Sequence, residues 1–386
     1  MDLGEPPSRA LRAWRSITRT HPTSGQHLAV LDGLRGLALL LVIASHLGLV
    51  GAHLVPGLDF SGAGKTGVWL FFALSSFLLM QQLLALDAAG RLDARAWGRF
   101  AARRVLRIYP LYVVYVLVCW LAPFPVYPRI DDSAELARHL ATAEGTGHLW
   151  SIAVEVHFYL LLPVLVLAWR YLLRRSAAAA LLAIVVVIAV RHLADPAFDR
   201  DGLSTYLAIF MAGSGAAVLH RHLCARRWWH APATRHALAV LACASTLLLI
   251  VVTPGIWNLV TGDSLSLNHW HHAFTPFAVV SAALVLAAAN AAPWLQSAFG
   301  ILPLRVAGVV SFGAYLWHAT LLANVRHAEW FAGTWQAWAF VAVTLVVSIV
   351  SYLLLEEPFL RIGVRKRSTP PPSAAPVQAS GAPPSG

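Results

Sequence analysis

The sequence predicts an all-α polytopic membrane protein with about ten transmembrane helices. Its 386 residues are 58% hydrophobic and only 12% charged, whereas soluble domains carry about 25% charged residues. Apolar runs of roughly the length that crosses a bilayer recur along the chain. This composition excludes an ordinary soluble enzyme, and it excludes a disordered chain, which combines few hydrophobic residues with many charges.

Ten apolar runs define the expected spans, and most of them reach the ~20 residues that a helix needs to cross the hydrocarbon core. They cover residues 28–50, 66–86, 108–124, 150–169, 178–192, 203–219, 236–254, 272–291, 305–325 and 335–355, and the fifth is short. We therefore expect a cytoplasmic N-terminal segment 1–27, a membrane domain 28–360 and a disordered, Pro-rich cytoplasmic tail 361–386.

The distribution of positive charge predicts the orientation of the chain. With the N-terminus inside, 22 Lys and Arg residues fall in inside segments and 6 in outside segments, while Arg35 lies within a span. Cytoplasmic loops carry the excess of Lys and Arg, so both termini are expected in the cytoplasm. This also explains the net charge of +11 without nucleic acid. Membrane lipids are the expected surroundings, and the cytoplasmic membrane is the expected location.

No metal site is expected from the sequence. Cys119, Cys224 and Cys243 are too few and too scattered for a zinc site or a disulfide framework. The run His269-Trp270-His271-His272 has no carboxylate or cysteine to complete a site. A solvated interface loop is the favoured interpretation of that run.

The first expected span contains two ionisable side chains, Arg35 and His46. A charged group inside a span costs at least ~2.5–3.5 kcal/mol on insertion scales, so such positions are candidates for function. The 11 residues between them place both side chains within ~20° of one helix face and about 16 Å apart along the axis. The alternative is a snorkelling arginine together with a core histidine whose hydrogen bonds are satisfied.

Small residues interrupt two spans. Ser75 and Ser76 follow an aromatic stretch, and Gly213-Ser214-Gly215 lies in the sixth span. Small residues let transmembrane helices approach closely, and no base stands near the two serines in the sequence. Helix packing is therefore favoured over a serine nucleophile.

An arginine cluster marks the inner end of the third span. Guanidinium groups bind phosphates through paired hydrogen bonds, so Arg103, Arg104 and Arg107 are candidates to hold a nucleotide or a phosphorylated cofactor. An ordinary positive-inside anchor is the alternative. The acidic pair Glu356-Glu357, at the inner end of the last span, is a candidate partner of these arginines.

Two later spans carry titratable groups at the depth expected for His46. Glu155 lies near the outer end of the fourth span, and His318 lies about 13 residues, or ~20 Å, from the inner end of the ninth, close to Tyr315. A carboxylate beside an imidazole fixes its tautomer and makes it a better base. The alternatives are an arginine partner for Glu155 and an aromatic belt at the outer interface for Tyr315 and His318.

These segments together resemble the acyltransferase-3 family of integral membrane O-acyltransferases over about residues 28–360. The segments that carry the resemblance are Arg35 with His46, Leu70 to Leu78, Arg103 to Tyr112, Trp150-Ser151 with Glu155, and Ser311 with Tyr315, Leu316 and His318. Glu357-Pro358 matches the terminal segment of the family loosely. The sequence departs from the family at Ser76, where glycine is usual, and no soluble esterase-like domain is expected after the tenth span.

The resemblance implies transfer of an acyl group, usually acetyl from acetyl-coenzyme A, to a hydroxyl of a carbohydrate or envelope glycan. It implies that Arg103, Arg104 and Arg107 hold the phosphates of the donor, whose pantetheine arm passes Arg35. The acceptor, the acyl chain length and the oligomeric state are left open by the sequence.

The resemblance also implies roles for the residues expected at the outer depth. His46 acts as general base on the acceptor hydroxyl or carries the acyl group itself, and Glu155 orients that histidine. Tyr315 and His318 hydrogen-bond the thioester oxygen or the acceptor.

A proton-coupled transporter or flippase is the alternative class. It would use the same buried Arg35, Glu155 and His46 for proton coupling or gating. We see no inverted repeat and no paired broken helices in the sequence, and these are features that transporters commonly have. The sequence therefore favours the enzyme.

Overall fold

The computed structural model describes residues 25–193, 202–264, 274–325 and 333–365. Most of the expected N-terminal segment 1–27 and most of the expected tail 361–386 lie outside these ranges. The run His269-Trp270-His271-His272 also lies outside the described residues.

The described residues form helices joined by short connections, with no strand among them. The first helices are α1 Gly25–Gly48, α2 Ala63–Ala88, α3 Ala94–Leu121, α4 Ser133–Leu140, α5 Trp150–Leu167, α6 Ala177–Leu193 and α7 Leu203–Leu223. The later helices are α8 Pro232–Val251, α9 Pro254–Thr261, α10 Phe274–Asn290, α11 Pro293–Phe299, α12 Leu302–Val309, α13 Ser311–Val325, α14 Thr334–Ser351 and α15 Glu357–Arg365. A 3-10 turn, Gly147–Leu149, precedes α5, and π-helical segments, Ala168–Leu172 and Tyr352–Glu356, follow α5 and α14.

The prediction of an all-helical polytopic protein is confirmed. Within the described ranges, seven helices are long and apolar enough to cross a membrane, and the number rises to nine if each of two bent helix pairs is one span. The apolar helix α6 has 17 residues and coincides with the short fifth span expected from the sequence. The expected number of about ten thus becomes seven to nine by length and composition.

Sharp bends affect two of the expected straight spans. One bend follows the expected span 272–291, and the other interrupts the expected span 305–325. α10 and α11 meet at 113°, and α12 and α13 meet at 80°, so the expected span 305–325 consists of two helices. Pro293 and Pro303 stand in the first turns of α11 and α12, where proline is tolerated because its missing amide hydrogen would have no helical partner. The expectation that the chain has no broken helices is therefore wrong.

The helix that carries Arg35 and His46 packs closely against the bent region. A β-carbon at Gly36 of α1 would lie 2.1 Å from the carbonyl oxygen of Leu304, and one at Gly308 of α12 would lie 1.8 Å from that of Asp32. Only glycine allows two helix backbones to approach so closely. This contact fixes the part of α1 around Arg35 against α12.

The small residues of α2 and α7 pack against each other, as the sequence predicts. A β-carbon at Gly213 of α7 would lie 2.0 Å from Oγ of Ser76. Ser76 is buried, and its hydroxyl donates to the carbonyl oxygen of Ala73 at 3.1 Å. The buried hydroxyl of Ser76 therefore has a hydrogen-bond partner within its own helix, at the position where the family usually has glycine.

The third expected span starts earlier than the hydropathy indicates. α3 begins at Ala94 rather than at residue 108, because Asp93 caps it by accepting from the amide of Ala96 at 2.6 Å. The arginine cluster consequently lies inside a helix. On a helix, residues three apart share a face and adjacent residues point about 100° apart, so Arg104 and Arg107 share a face that Arg103 does not.

Candidate functional site

A cavity of about 490 Å³ lies between α1, α2, α3, α5 and α13. Its polar lining side chains are Arg35, Ser75, Gln82, Arg104, Arg107, Ser151, Glu155, Tyr159, Ser311 and Tyr315. Five of the eight residues that the sequence singles out as site candidates, Arg35, Arg104, Arg107, Glu155 and Tyr315, therefore line the same cavity. Arg103 does not line this cavity, because it lies on a different face of α3.

The long axis of the cavity follows one face of α5. Ser151, Glu155 and Tyr159 are spaced by four residues and all line it, which corresponds to about 12 Å along the helix. At one end of the cavity, Ser151 donates a hydrogen bond to the hydroxyl of Tyr315. At the other end, Tyr159 lies within electrostatic range of Arg104 and Arg35. The cavity thus has a cationic end and an end lined by hydroxyl groups.

Ion pairs hold two of the three arginines at the cationic end. Nη1 of Arg35 lies 3.4 Å from Asp32, and Nη1 of Arg107 lies 3.5 Å from the fully buried carboxylate of Glu356. The predicted pairing of the terminal acids with the arginine cluster is confirmed for Glu356, whereas Glu357 pairs with Arg361.

Arg104 differs from these two arginines. Its Nε is buried and has no hydrogen-bond partner within the described part of the chain. A buried guanidinium N–H without an acceptor is unfavourable unless a ligand supplies one. The end of the cavity at Arg104 therefore suits an anionic group.

The carboxylate of Glu155 bonds within its own helix. It accepts a hydrogen bond from the hydroxyl of Tyr159 at 2.6 Å. Its negative charge also attracts the guanidinium group of Arg35. Among the described residues, no hydrogen bond or ion pair joins Glu155 to His46. The orientation of that imidazole by Glu155 therefore stays a prediction.

Three imidazoles meet beyond the hydroxyl end of the cavity. The ring centroids of His46 and His318 are 4.8 Å apart at an interplanar angle of 72°, and those of His148 and His318 are 5.4 Å apart at 72°. α1, the 3-10 turn before α5, and α13 contribute one ring each. Sequence reasoning missed His148, because this histidine lies in a 3-10 turn outside the expected span 150–169.

Backbone carbonyls fix the tautomers of His46 and His318. Nδ1 of His46 lies 2.8 Å from the carbonyl oxygen of Val42, and Nδ1 of His318 lies 2.7 Å from that of Tyr315. A carbonyl oxygen only accepts, so Nδ1 carries the hydrogen in each ring and Nε2 keeps its lone pair when the ring is neutral. His46 therefore presents Nε2 as a base.

Tyr315 connects the cavity to the imidazoles. Its hydroxyl donates to the carbonyl oxygen of His148 at 2.7 Å and accepts from Oγ of Ser151 at 2.8 Å. Tyr315 and Ser151 both line the cavity, and the ring centroid of Tyr315 lies 5.5 Å from that of His148 and 5.7 Å from that of His318. In this structure the hydroxyl hydrogen of Tyr315 is directed at the carbonyl oxygen of His148, and a hydrogen bond from Tyr315 to the thioester oxygen or the acceptor stays a prediction.

The bend between α12 and α13 changes the expected depth of His318. The residue lies seven positions after Ser311, the first residue of α13, rather than 13 residues along a straight span. His318 nevertheless reaches His46, because α13 packs against α1.

The site contains no metal-binding arrangement. No group of three or more His, Cys, Asp or Glu side chains in the described ranges has the geometry to hold a metal ion. The imidazole rings of His46 and His148 each meet the ring of His318 in an edge-to-face arrangement.

Comparison with known proteins gives one family match. The family model described as an acyltransferase domain matches residues 28–356, which contain every candidate residue described above. No solved structure is significantly similar to this chain.

Several curated proteins are distant relatives. The chain is 23% identical to peptidoglycan O-acetyltransferase OatA of Listeria monocytogenes, over 90% of this chain and 58% of that protein. It is 24% identical to the putative peptidoglycan O-acetyltransferase YrhL of Bacillus subtilis, over 89% of this chain and 56% of that protein. It is 26% identical to nodulation protein 10 of Rhizobium leguminosarum, over 77% and 82%. The chain thus spans less than three fifths of the first two relatives.

Proposed function

The chain belongs to the acyltransferase-3 family, and on that premise we propose that it is a membrane-embedded O-acyltransferase. It moves an acetyl group from cytoplasmic acetyl-coenzyme A to a hydroxyl of a carbohydrate or envelope glycan. The observation that carries this proposal is the cavity. Its cationic end holds Arg35, Arg104 and Arg107, and its other end is lined by Tyr315, whose ring lies against those of His148 and His318, with His46 beside His318.

The donor enters with its phosphates at the cationic end. Arg104 and Arg107 share a face of α3, and the unpartnered Nε of Arg104 offers a hydrogen to a phosphate oxygen. The cavity holds the narrow pantetheine arm along α5, from Tyr159 to Ser151. The thioester then lies at the hydroxyl end, next to the imidazoles.

The charge distribution supports this direction of entry. The cationic end of the cavity includes Arg104 and Arg107 of α3, and the distribution of Lys and Arg supports a cytoplasmic position for this segment. Coenzyme A is a cytoplasmic compound, and envelope glycans lie on the opposite side. The same distribution supports an N-in, C-in topology and a location in the cytoplasmic membrane.

His46 performs the proton transfer. Its Nε2 takes the proton of the acceptor hydroxyl while the oxygen attacks the thioester carbonyl carbon, and the imidazolium then returns the proton to the departing coenzyme A thiolate. In the two-step variant, Nε2 attacks the carbonyl carbon, the carbon–sulfur bond breaks and coenzyme A leaves as its thiolate. The acceptor oxygen then attacks the acyl carbon, the bond to Nε2 breaks, and Nε2 takes the hydroxyl proton and returns it to the thiolate. Val42 holds the required tautomer in both variants.

Acceptor and donor are tested together by thiol release from acetyl-coenzyme A in detergent. We compare the wild type with His46→Ala, with and without a digest of peptidoglycan, because two relatives are named for peptidoglycan O-acetylation. His236→Ala is the matched control, since Nδ1 of this exposed histidine also lies 2.8 Å from a carbonyl oxygen one turn earlier, that of Pro232.

Thiol release that requires both His46 and the digest, and that survives His236→Ala, is the expected result. A wild type that releases no thiol with any acyl donor or glycan extract would overturn the proposal. The two bent helix pairs resemble the discontinuous helices of transporters. That negative result would therefore favour the proton-coupled transporter or flippase.

A further inference from the structure

A second cavity of about 380 Å³ lies at the C-terminal end of α1, between the α1–α2 connection and α9. Its polar lining side chains are Asp59, Ser61, Asn258 and Ser264, and its apolar lining includes Pro254 and Leu259. It is open to the surroundings, and none of the residues discussed as catalytic or donor-binding lines it. We call this cavity the α9 groove.

The α9 groove adjoins the helix turn that carries His46. The hydroxyl of Ser45 accepts from the amide of Gly62 at 3.1 Å, three residues after Asp59. A β-carbon at Gly64 would lie 3.7 Å from Cε1 of His46, and one at Gly48 would lie 2.9 Å from Oδ1 of Asp59. The connection that forms the wall of the groove therefore packs against α1 on either side of His46, at Ser45 and at Gly48, and the first turn of α2 lies beside His46 itself.

His46 thus has neighbours that lead to both cavities. Its ring meets that of His318, and Tyr315, one turn before His318, lines the donor cavity. A β-carbon at Gly64, in the first turn of α2, would lie 3.7 Å from Cε1 of His46, and Ser61, three residues before Gly64, lines the α9 groove. A base placed between a donor space and a second, polar space is the arrangement that transfer between two substrates requires.

We propose that the α9 groove binds the sugar of the acceptor, with Asp59 and Asn258 as its hydrogen-bonding groups. This proposal rests on the proposed O-acyltransferase function and adds the location and chemistry of acceptor binding. A carboxylate accepts from sugar hydroxyls, and a side-chain amide both donates and accepts. Pro254 and Leu259 provide the apolar surface against which the C–H face of a pyranose packs.

The polar groups of the groove are held in place before any ligand binds. The amide of Ser61 donates to Oδ1 of Asp59 at 2.8 Å, and the amide of Gly255 donates to the carbonyl oxygen of Ser61 at 3.2 Å. These bonds fix the carboxylate and tie the connection to α9. A preorganised group loses little conformational entropy on binding.

Acceptor kinetics test this assignment. We vary a soluble muropeptide digest of peptidoglycan at saturating acetyl-coenzyme A, and then vary acetyl-coenzyme A at a fixed digest concentration, for the wild type and for Asp59→Asn. Asparagine retains an oxygen for the Ser61 amide, so the connection keeps its fold. Loss of a hydrogen bond to a charged group predicts an increase in the acceptor KM of about 10-fold or more, with the donor KM unchanged.

Asp263→Asn is the matched control, because it removes the same charge from an exposed position just after α9 that does not line the groove. We expect its acceptor KM to equal that of the wild type. Asn258→Ala provides a second variant and is expected to raise the acceptor KM in the same direction. An acceptor KM that stays at the wild-type value in both Asp59→Asn and Asn258→Ala would overturn the assignment.

Equilibrium binding separates the failure of this assignment from the failure of the proposed function. The digest is titrated against each variant without donor, so no turnover is needed. Binding to the wild type that weakens about 10-fold in Asp59→Asn, but not in Asp263→Asn, supports the α9 groove even if no thiol is released. Equal binding of the digest to all variants would overturn the assignment of the α9 groove as the acceptor site. Thiol release by the wild type would still support the proposed O-acyltransferase function.

Discussion

Nδ1 of His46 lies 2.8 Å from the carbonyl oxygen of Val42, one turn earlier in α1. The helix that carries the imidazole therefore also orients it, and no carboxylate is needed to set its tautomer. This relationship separates two properties of the residue: the N–H that anchors the ring and the Nε2 lone pair that acts as a base.

His46→Asn tests the base directly. Asparagine retains an N–H for Val42 but has no group at the position of Nε2, so acetyl transfer should fall by about 10²–10⁴-fold, the usual contribution of a general base. Thiol release by purified protein measures the loss, and thermal unfolding checks that the fold survives. His236→Asn is the matched control and should keep wild-type activity. Wild-type activity in His46→Asn would show that His46 is not the base.

Arg107 is expected to have both a binding role and a structural role. Arg107→Ala removes a donor-binding group and leaves the buried carboxylate of Glu356 without its cation. Breaking a buried ion pair costs up to ~3–5 kcal/mol, and the long 3.5 Å contact places this pair at the lower end. We therefore expect both a higher KM for acetyl-coenzyme A and a lower melting temperature.

The double variant Arg107→Ala/Glu356→Gln separates the two roles. Removing both charges should restore much of the melting temperature, because no buried charge remains. The donor KM should stay as high as in Arg107→Ala. If the donor KM returns to the wild-type value together with stability, Arg107 is structural only.

The close contact between α1 and α12 predicts a strong effect of Gly308→Ala. The new β-carbon would overlap the carbonyl oxygen of Asp32, and overpacking typically costs 1–3 kcal/mol, occasionally more. Separation of the helices would also displace Arg35, so the donor KM should rise. Thermal unfolding and donor saturation curves measure both effects.

Gly98→Ala is the control for this substitution. A β-carbon at Gly98 in α3 meets nothing within 4 Å, so alanine should stabilise the helix by about 0.5–1 kcal/mol through its higher helix propensity. Equal losses of stability in Gly98→Ala and Gly308→Ala would contradict the close contact.

His139 in α4 predicts a pH-dependent stability. Its side chain is buried, with Nε2 3.0 Å from Oγ1 of Thr146, and burial lowers its pKa below the ordinary value of 6.5 although Glu135 and Glu144 oppose that shift. The folded state thus favours the neutral ring, while the unfolded state binds a proton near pH 6.5. Stability is complete above that pH and declines as the pH falls below it.

Thermal unfolding between pH 8 and pH 5 checks this effect. His139→Gln removes the linked proton, so the difference in melting temperature between pH 7 and pH 5 should be smaller than in the wild type. His222→Gln, at an exposed position near the end of α7, should keep the wild-type pH dependence. An unchanged pH dependence in His139→Gln would exclude this linkage.

The all-helical class and the choice of Arg35 and Glu155 as candidate residues follow from simple physical chemistry. A membrane span excludes charged groups unless they are used or paired, so the few that remain are informative. The face occupied by each arginine was not predicted, because α3 begins before its apolar run does. Hydropathy reports where a helix is apolar and not where its backbone starts.

The tautomer of His46 and the third imidazole required the structure. Every helix offers carbonyl oxygens, so no sequence pattern identifies Val42 as the partner of His46. His148 lies in a 3-10 turn outside the expected fourth span, where a histidine reads as an interface residue. The bend at Val310 lacks a proline at that position, so the sequence gives no local signal for it.

That bend has an electrostatic consequence for the donor cavity. Because α13 starts anew at Ser311, its first residues, Ser311 and Phe312, line the cavity, and the amino terminus of a helix carries about half a positive charge from its aligned peptide dipoles. Part of the attraction for an anion is therefore supplied by the main chain. Replacing arginines one at a time will leave this contribution intact and will underestimate the total affinity of the cavity for phosphate.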